Sequence, residues 1–577
     1  MEKERFKNSF AANVFRFKYS QGPSDTWDAL ADRLVEDVCG TRWGTQPKLM
    51  SDDERKQLAE YIKEMKFIPG GRYLYYAGRQ FKAYNNCYLL RGEEDTREEW
   101  SSLFQRASSC LLTGGGIGID YSIFRPSGKA LTRTGGKASG PLPLMYAINE
   151  IGRNVMQGGS RRSAIYASLD YRHEDIPLFL RAKNWRHFPV GTTGINLAEV
   201  KEQDFNFPAP LDMTNISINY DDSLCGQYFW KEVGIAGGKQ YTKLPVAENL
   251  MNSSVYLENV KQAMMTGEPG FSFNFNGKER ETLRNACTEV TSEDDSDVCN
   301  LGSINLGNIG SLDEFKSIVS LSSKFLVCGT LRADLPYSKV YKIREQNRRL
   351  GLGLMGIHEW LLQRGYAYEV TSELHEWLRV YKDESERSAK EHCDRFYLSH
   401  PKAYRAIAPT GTIGILAATT TGIEPLFAVA YKRRFLTEGT KWKYQFVIDS
   451  TAERLINDYE LKPENIDTAY KLSHDPERRI KFQADIQDYV DMSISSTINL
   501  PAWGSKGNSE SDVNGFATIL AKYASRLRGF TAYPDSSRGG QPITEVSYEE
   551  AHANKNVIFE ETPDVCTITG HGGVCGV

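Results

Sequence analysis

The 577-residue sequence lacks several features that define common classes of protein. No stretch stays apolar for the roughly 18 residues that a membrane-spanning helix needs, and the N-terminal segment MEKERFKNSF lacks the apolar core of a secretion signal. Basic and acidic residues nearly balance, leaving a net charge of −4, so the strongly basic composition of a nucleic-acid-binding protein is absent. We therefore expect a cytoplasmic protein that binds neither nucleic acid nor membranes.

The ten cysteines include no Cys-x-x-Cys pair, the spacing typical of structural zinc sites. Their uneven distribution along so long a chain is also unlike a disulfide scaffold. In a reducing compartment they are then structural, metal-binding or redox-active. The position of each cysteine in the sequence has to distinguish between these roles.

The segment RNACTEVTSEDDSDVCNL at 284–301 contains several candidate catalytic residues. Cys287 lies two residues after Asn285 and two residues before Glu289, and Cys299 follows later in the segment. A neighbouring carboxylate disfavours a thiolate, and no histidine lies near Cys287 in the sequence, so the segment does not indicate a papain-like nucleophile. It favours a neutral thiol or its radical, with Glu289 as a general base and Asn285 orienting a substrate. A zinc site completed by remote residues, or two buried packing cysteines, remain open alternatives.

The rest of the chain reads as one large α/β body without repeats or low-complexity linkers. Apolar spacing predicts helices between residues 25 and 65. The GGGIG segment at 114–118 allows dinucleotide binding, but a tight turn with close backbone packing is favoured. QGGSRRSA at 157–164 suits a loop that meets a charged or base-bearing ligand, or a solvated loop, and APTGTIG at 408–414 could hold phosphate oxygens.

Nine segments, in order along the chain, resemble the ribonucleotide reductases, most closely the dimeric adenosylcobalamin-dependent class II catalytic chains. The segments are NNCYLL at 85–90, GGGIGIDYSIFRPSG at 114–128, TGGKASGPLPLM at 134–145, GGSRRSA at 158–164, NACTE at 285–289, CNLGSINL at 299–306, APTGTIGI at 408–415, SISSTINLP at 493–501 and RGFTAYPDSSRGGQP at 528–542. Each segment alone is weak evidence for the family. Nine segments in the same order cover most of residues 70–545 and make a chance resemblance implausible.

The resemblance implies a ten-stranded α/β barrel with a central finger loop. It implies a helical N-terminal region at 1–70, a catalytic barrel at 71–545 and a mobile, redox-active tail at 546–577. The implied activity is reduction of ribonucleotides, with diphosphates expected and triphosphates open, to 2′-deoxyribonucleotides.

By resemblance, Cys287 at the loop tip becomes a thiyl radical that takes the 3′ hydrogen. Glu289 is then the base on the 3′ hydroxyl, and Asn285 positions the sugar. Cys87 and Cys299 supply two electrons and end as a disulfide. This division is chemically sound, because two adjacent thiols form a two-electron reductant and a third thiol must stay unpaired.

Binding residues are also implied by the resemblance. The expected substrate-binding residues are Asn86, Thr410, Gly411, Thr412 and Ile413. A deoxynucleotide effector is expected at Asp95, Lys129, Arg133, Gly158, Gly159, Ser160, Arg161, Arg162 and Ser163. Only a short link joins the GGGIG and TGGKASGP motifs, which implies a homodimer, and the absence of an ATP-cone pattern implies no on–off control by dATP.

Adenosylcobalamin is the expected cofactor. Class I catalytic chains carry a pair of adjacent tyrosines near the end of the barrel, and the last third of this chain has none. A class I chain served by a metal-containing subunit, or an inactive nucleotide-binding relative, remain the alternatives.

The sequence departs from the family at two places. Ala286 and Thr288 stand where the family has Pro and Gly, and Cys566 and Cys575 are further apart than the usual tail pair. We expect the tail pair to shuttle electrons from a thioredoxin-like reductant; a metal site with His571 or an inert tail are the alternatives. The cysteines expected only to pack are Cys39, Cys110, Cys225, Cys328 and Cys393.

Overall fold

The computed structural model describes residues 5–41, 48–154, 164–192, 194–204, 207–225, 228–233, 238–243, 245–436, 442–535, 537, 543–555 and 557–559. Within this part, the α-helices are α1 Ser9–Lys18, α2 Trp27–Cys39, α3 Asp52–Lys63, α4 Gly71–Tyr76, α5 Arg97–Leu112, α6 Leu142–Asn154, α7 Ile176–Arg181, α8 Leu197–Gln203, α9 Val246–Met251, α10 Ser254–Thr266, α11 Leu312–Arg332, α12 Ser338–Asn347, α13 Ile357–Gln363, α14 Ser372–Arg395, α15 Gly411–Ala417, α16 Ser450–Tyr459, α17 Ala469–Leu472, α18 Pro476–Gln487, α19 Val513–Tyr523 and α20 Tyr548–Ala553.

The strands of the described residues are β1 Phe67–Pro69, β2 Cys87–Arg91, β3 Gly116–Asp120, β4 Ile165–Asp170, β5 Thr214–Asp221, β6 Tyr228–Val233, β7 Gly238–Lys243, β8 Gly270–Asn274, β9 Leu283–Arg284, β10 Thr291–Ser292, β11 Asp297–Asn305, β12 Leu350–Met355, β13 Ala430–Leu436, β14 Trp442–Ile448, β15 Thr497–Leu500, β16 Gly529–Pro534, β17 Ile543–Glu545 and β18 Ile558–Phe559. Six short 3-10 turns connect them: Trp185–His187, Asp222–Cys225, Leu306–Asn308, Pro463–Asn465, Glu510–Asp512 and Ala524–Arg526.

The N-terminal helices form where the apolar spacing predicts them. Thr26 caps α2 by accepting a hydrogen bond from Ala29 N, and Ser51 with Glu54 forms a capping box at α3. One face of α2, including Trp27 and Leu34, is fully or almost fully buried. Caps and buried faces together fix both helices against the body of the protein.

Ten strands form a mixed sheet in the order β1-β11-β2-β3-β4-β5-β8-β16-β15, with β12 beside β11. The strands β2, β3, β4, β5 and β8 run parallel, and helices or loops connect successive strands on the outside. β11 joins β2 in antiparallel pairing, and β16 joins β8 in the same way. The fold is therefore α/β with a parallel core flanked by two antiparallel junctions.

Residues 403–407 link the two ends of this sheet. On one side, Leu350 N donates to Ala403 O at 2.9 Å, and on the other Ser495 N donates to Ile407 O at 2.8 Å. Residues 492–495 lead directly into β15. Main-chain hydrogen bonds thus connect β12, through residues 403–407, with the segment that leads into β15. The described strands form a ten-stranded mixed sheet, and its closure into a barrel stays a prediction.

The finger hairpin, β9 and β10, packs against β2 and β3 of this sheet through β9. Its residues Leu283 and Val290 belong to an apolar cluster distinct from the main core. The cluster contains Cys87, Leu89, Leu283, Val290, Cys299, Leu301, Ala403, Ala406, Ala408 and Met492. The finger and two of the cysteines thus pack together in this second apolar cluster.

The C-terminal part adds a four-stranded sheet in the order β17-β13-β14-β18. The predicted mobile tail begins inside this sheet: Ala551 of α20 is buried, and Phe559 of β18 pairs with Tyr444 of β14. Residues 546–559 are therefore held by packing and strand pairing for much of their length. Among the described residues, no helix combines the length and the apolar composition that crossing a membrane demands.

Candidate active site

Cys87 and Cys299 lie opposite each other on neighbouring strands. Cys87 begins β2, Cys299 is the third residue of β11, and the antiparallel register pairs the two positions. Both side chains are buried and both thiols are free. Side chains paired in this way have Cβ atoms about 5 Å apart, so a disulfide between them needs only small adjustments.

The finger hairpin brings a third cysteine to this pair. Arg284 and Thr291 pair across the hairpin, and residues 285–290 form the loop between them. Asn285 and Glu289 are 1% exposed, whereas Cys287 is half-buried. Cys287 and Glu289 both act electrostatically on Cys87, which places the loop tip beside the paired thiols.

Hydrogen bonds fix the loop against Cys87. Asn285 Nδ2 donates to Cys87 Sγ at 2.9 Å, and Asn285 Oδ1 accepts from Val290 N at 2.9 Å. The Cys87 thiol points at Glu289 Oε1, 3.9 Å away. Glu289 Oε2 is buried and has no hydrogen-bond partner among the described residues. One carboxylate oxygen is thus available to a ligand.

Burial sets the protonation of this site. Burial raises the pKa of Glu289 to about 7, against hydrogen bonds from Asn285 and Cys87 that lower it. Burial and the nearby Glu289 raise the pKa of Cys87, and burial with Asp297 raises that of Cys299. Near neutral pH the two paired sulfurs are thiols, and Glu289 is poised to exchange a proton.

Thr288 occupies the position where the family has glycine, and its φ is 70°. A β-branched residue rarely adopts this left-handed conformation. The loop keeps the turn that a glycine would allow. Thr288 thus adopts a backbone conformation that glycine favours.

Four of the expected substrate-binding residues lie at the start of α15, and the fifth, Asn86, lies beside Cys87. Thr410 precedes α15 with a φ of 52°, and its hydroxyl accepts a hydrogen bond from Gly422 N at 2.8 Å. Gly411 and Ile413 belong to the first turn of α15, as does Thr412. Asn86 lies next to Cys87, and its buried Oδ1 lacks a partner within the described part of the chain.

A cavity of about 930 Å³ opens beside the start of α15. Its lining includes Gly411 and Gly414 on one side and Ser495 and Asn499 on another. None of the three cysteines is among its described lining residues. The described lining of the cavity therefore does not include the thiol site; Ser495 of the lining lies two residues from Ser493, whose main-chain N donates to Glu289 O.

Three of the expected effector residues are among the described residues, and the other six are not. Asp95 forms an ion pair with Arg125, with 2.6 Å between Oδ2 and Nε. Lys129 and Arg133 are exposed, and Arg133 acts electrostatically on Glu98 at the start of α5. The remaining expected residues, 158–163, lie outside the described residues, as do Cys566, His571 and Cys575 of the tail.

The cysteines expected only to pack are buried where their side chains are described: Cys39, Cys110, Cys328 and Cys393. The side chain of Cys225 lies outside the description. Among the described residues, no cluster of His, Cys, Asp or Glu could hold a metal ion.

Two contacts to the loop come from residues that the sequence did not single out. Ser493 N donates to Glu289 O at 2.9 Å, and Asn215 Nδ2 donates to Ala286 O at 3.1 Å. Ser493 is the first residue of the SISSTINLP segment, so the resemblance to the family had already marked this part of the chain. Asn215 lies on β5 outside every motif, and no sequence pattern marked it.

The chain is similar in sequence to several known reductases. A vitamin B12-dependent ribonucleoside-diphosphate reductase of Mycobacterium tuberculosis is 26% identical over 614 residues, covering 96% of this chain and 84% of the relative. A protein of the same name from Thermoplasma acidophilum is 23% identical, covering 87% and 68%. The ribonucleoside-diphosphate reductase large subunit of Danio rerio is 24% identical over 54% of this chain and 42% of its own length.

The family described as "Ribonucleotide reductase, barrel domain" matches residues 85–377 and 400–527. The match spans β2, the finger hairpin, β11 and α15, the elements that build the thiol site. On this match, covering well over half of its length, the chain belongs to the ribonucleotide reductase barrel-domain family.

Proposed function

We propose that this chain is an adenosylcobalamin-dependent ribonucleotide reductase that converts ribonucleoside diphosphates to 2′-deoxyribonucleotides. The observation that carries the proposal is the cross-strand pairing of Cys87 with Cys299 beside a loop that presents Cys287 and Glu289. The relatives named B12-dependent cover most of this chain, whereas the Danio rerio large subunit covers about half. This difference favours the cobalamin-dependent class over a class I chain.

In the proposed reaction, the Cys287 thiyl radical takes the 3′ hydrogen atom, and Glu289 takes the proton of the 3′ hydroxyl. The 2′ hydroxyl then leaves as water. Cys87 and Cys299 together give two electrons and two protons to the sugar and become a disulfide, and the 3′ hydrogen returns from Cys287. One ribonucleotide and two thiols thus yield one deoxyribonucleotide, one disulfide and one water.

The electrostatics support these roles. A base with a pKa of about 7 is matched to proton transfer near neutral pH. The raised pKa values of Cys87 and Cys299 keep both protonated, and each must deliver hydrogen as well as an electron. The unpartnered Glu289 Oε2 is available to the substrate hydroxyl. Asn285, already bonded to Cys87, then fixes the sugar relative to that thiol.

The cavity beside α15 offers groups suited to phosphate and an apolar surface. The start of α15 and the hydroxyls of Thr410 and Thr412 are suited to phosphate oxygens. Apolar side chains also line the cavity: Phe10 and Ile415 expose 59% and 39% of their surfaces, and Phe427 lines the same space. These three side chains fit the apolar face of a large macrocycle and would hold part of adenosylcobalamin. The chemistry that this cofactor supplies when bound is an organic radical, without a partner protein.

We further propose a homodimer that binds its effector near α5 and α6. Phe104 and Leu112 of α5 are 39% and 66% exposed, and Tyr146 of α6 is 36% exposed. Apolar side chains grouped on packed neighbouring helices are typical of a surface covered by a second copy. Lys129 and Arg133 follow α5 and supply positive charge for a nucleotide phosphate.

The proposed reductant is a thioredoxin-like protein that acts through Cys566 and Cys575. These cysteines follow β18, which pairs with β14, and Gln445 and Phe446 of β14 line the cavity. Six residues lie between Phe559 and Cys566, and the seven steps along the chain reach about 23 Å when extended. A cytoplasmic location suits such chemistry, because the thiols must stay reduced.

An assay of the purified full-length chain tests the proposal. With a ribonucleoside diphosphate, an effector and dithiothreitol, deoxynucleotide should form only when adenosylcobalamin is added. Turnover without cobalamin, after addition of a metal-containing subunit, would replace the proposal with a class I assignment. Absence of turnover in both cases would identify an inactive relative.

A further inference from the structure

The GGGIG segment, for which the sequence left two interpretations, forms the surface on which the finger loop rests. Its last glycines, Gly116 and Gly118, belong to β3, the strand that runs alongside β2 and Cys87. A Cβ atom on Gly118 would lie 1.6 Å from Arg284 O and 3.2 Å from Asn285 Cα. The finger backbone therefore occupies the space of a side chain at position 118.

The backbone of Gly118 does not itself require glycine. Gly118 is absent from the residues with positive φ and lies within the extended strand β3. Only the close approach of the finger excludes a side chain there. At Gly116 the nearest atom is Ala286 Cβ at 3.3 Å, a contact that small shifts can relieve. Gly118 is thus the position at which the finger and the strand fit most tightly.

Arg284 holds the same part of the finger from the opposite side. Its side chain is fully buried, and Nη2 donates to Asn274 Oδ1 at 2.7 Å and to Arg528 O at 3.3 Å. Nη1 donates to Glu281 O and to Leu283 O. One guanidinium therefore ties the finger base to β8 and to the residue that precedes β16.

The burial of the Arg284 guanidinium is not explained by a gain in the stability of the fold. The described hydrogen bonds of Arg284 all end on neutral oxygens, four main-chain carbonyls and one amide. Burying a cation without a hydrogen-bonded carboxylate costs stability, so such a residue is better explained by the positions that it fixes than by a gain in stability. The five-donor fork of arginine joins several carbonyls at fixed angles, which lysine cannot do.

We propose that Gly118 and Arg284 are positioning residues that set the depth and orientation of the finger loop, and thereby the placement of Cys287 and Glu289 over the Cys87–Cys299 pair. Asn285, the residue between Arg284 and the loop tip, transmits this placement directly through its hydrogen bond to Cys87. The inference rests on the proposed function for its effect on turnover. Its effect on loop position is independent of that function.

The first test is Gly118→Ala. The added methyl group must displace the finger, and a displacement of about 1 Å of reacting groups costs roughly 100-fold in rate. We expect kcat to fall by about that factor while KM changes little, because the substrate-binding turn at α15 is untouched. Gly515→Ala is the matched control: Gly515 lies in α19 with no atom within 4 Å of its Cβ position.

A second readout does not depend on turnover or on cobalamin. Cys87 is only 4% exposed, with Asn285 and Glu289 lying against its thiol. In Gly118→Ala and Arg284→Met, iodoacetamide should modify Cys87 about ten times faster than in the unmodified chain, as counted by peptide mass spectrometry. Arg405→Met is the matched control, because Arg405 is equally buried but bonds to Ser385 and Glu386 of α14.

Arg405→Met should lower the stability of the fold and leave Cys87 protected. If Arg284→Met does not fold, Arg284→Lys keeps the charge without the fork, and the same increase in Cys87 modification is expected. Protected Cys87 with unchanged kcat in Gly118→Ala would overturn the inference. An inactive unmodified chain would instead contradict the proposed function, while the modification of Cys87 would still decide whether the finger is positioned as inferred.

Discussion

Replacing Glu289 by glutamine should make the stability of the protein less sensitive to pH. Burial raises the pKa of Glu289 from its usual 4.5 to about 7, so the folded chain binds a proton that the unfolded chain releases. The stability that this protonated carboxyl contributes is complete below about pH 4.5 and is lost as the pH rises to about 7. Glutamine resembles the protonated form and carries no such loss.

The magnitude follows from the two pKa values. A difference between 4.5 and about 7, at about 1.4 kcal/mol per tenfold change, corresponds to about 3 kcal/mol. The free energy of unfolding of Glu289→Gln, relative to the unmodified chain, should therefore increase by about 3 kcal/mol between about pH 4.5 and about pH 7.5. Urea unfolding followed by tryptophan fluorescence at both pH values measures this difference.

Glu281→Gln is the matched control. Burial opposes ionisation of Glu281, but its ion pair with Arg528, at 2.8 Å, lowers its pKa to about 2. Its contribution to stability is present above pH 4.5 and is lost only as the pH falls towards 2, so its variant should show a constant difference over the measured range. A constant difference for Glu289→Gln would refute the burial argument, as would a smaller relative stability at the higher pH.

Three further outcomes are expected. Cys287→Ser should abolish release of tritium from a 3′-labelled substrate, while leaving the fold intact by circular dichroism; retained tritium release would remove Cys287 from the radical step. Changing both Cys566 and Cys575 to serine should leave turnover driven by dithiothreitol unchanged and stop turnover driven by thioredoxin; lost dithiothreitol-driven turnover would defeat the shuttle role. Leu112→Glu should convert a dimer into a monomer by light scattering, because a charge would enter the apolar surface of α5; an unchanged dimer mass would place the interface elsewhere.

Local patterns in the sequence predicted the local structure. The apolar spacing around Trp27 and Leu34 predicted α2, and its cap at Thr26 fixed the start within the expected range. Cys287, Glu289 and Asn285 are close in the sequence, so a single tight turn necessarily brings them together. These features depend on interactions between near neighbours, which a sequence records directly.

The pairing of Cys87 with Cys299 could not be derived in this way. It depends on the register of β2 against β11, which is set by the whole order of the sheet. Only the resemblance to a family predicted it. The same holds for Gly118, whose surroundings include Arg284 from a distant part of the chain. The spacing of GGGIG was compatible with a turn or with a nucleotide site, and the approach of the finger decides between them.

The boundary of the tail could not be read from composition either. Residues 546–559 mix polar with apolar residues and have no pattern that separates them from a tail, but β18 pairs with β14 and α20 buries Ala551. A strand of only two residues, such as β18, can be held by main-chain hydrogen bonds to an existing edge. Two residues are too few to show the alternating pattern that predicts a strand.

The thiol state after one turnover tests the central claim most directly. The reduced chain carrying Cys566→Ser and Cys575→Ser, so that the tail cannot re-reduce the active site, is given adenosylcobalamin and substrate but no external reductant. After one turnover it is denatured in the presence of iodoacetamide, and its disulfides are identified by peptide mass spectrometry. A disulfide between Cys87 and Cys299, with Cys287 alkylated and one deoxynucleotide formed per disulfide, is the predicted result. Deoxynucleotide formed with Cys87 and Cys299 both still alkylated, or a disulfide that contains Cys287, would contradict it.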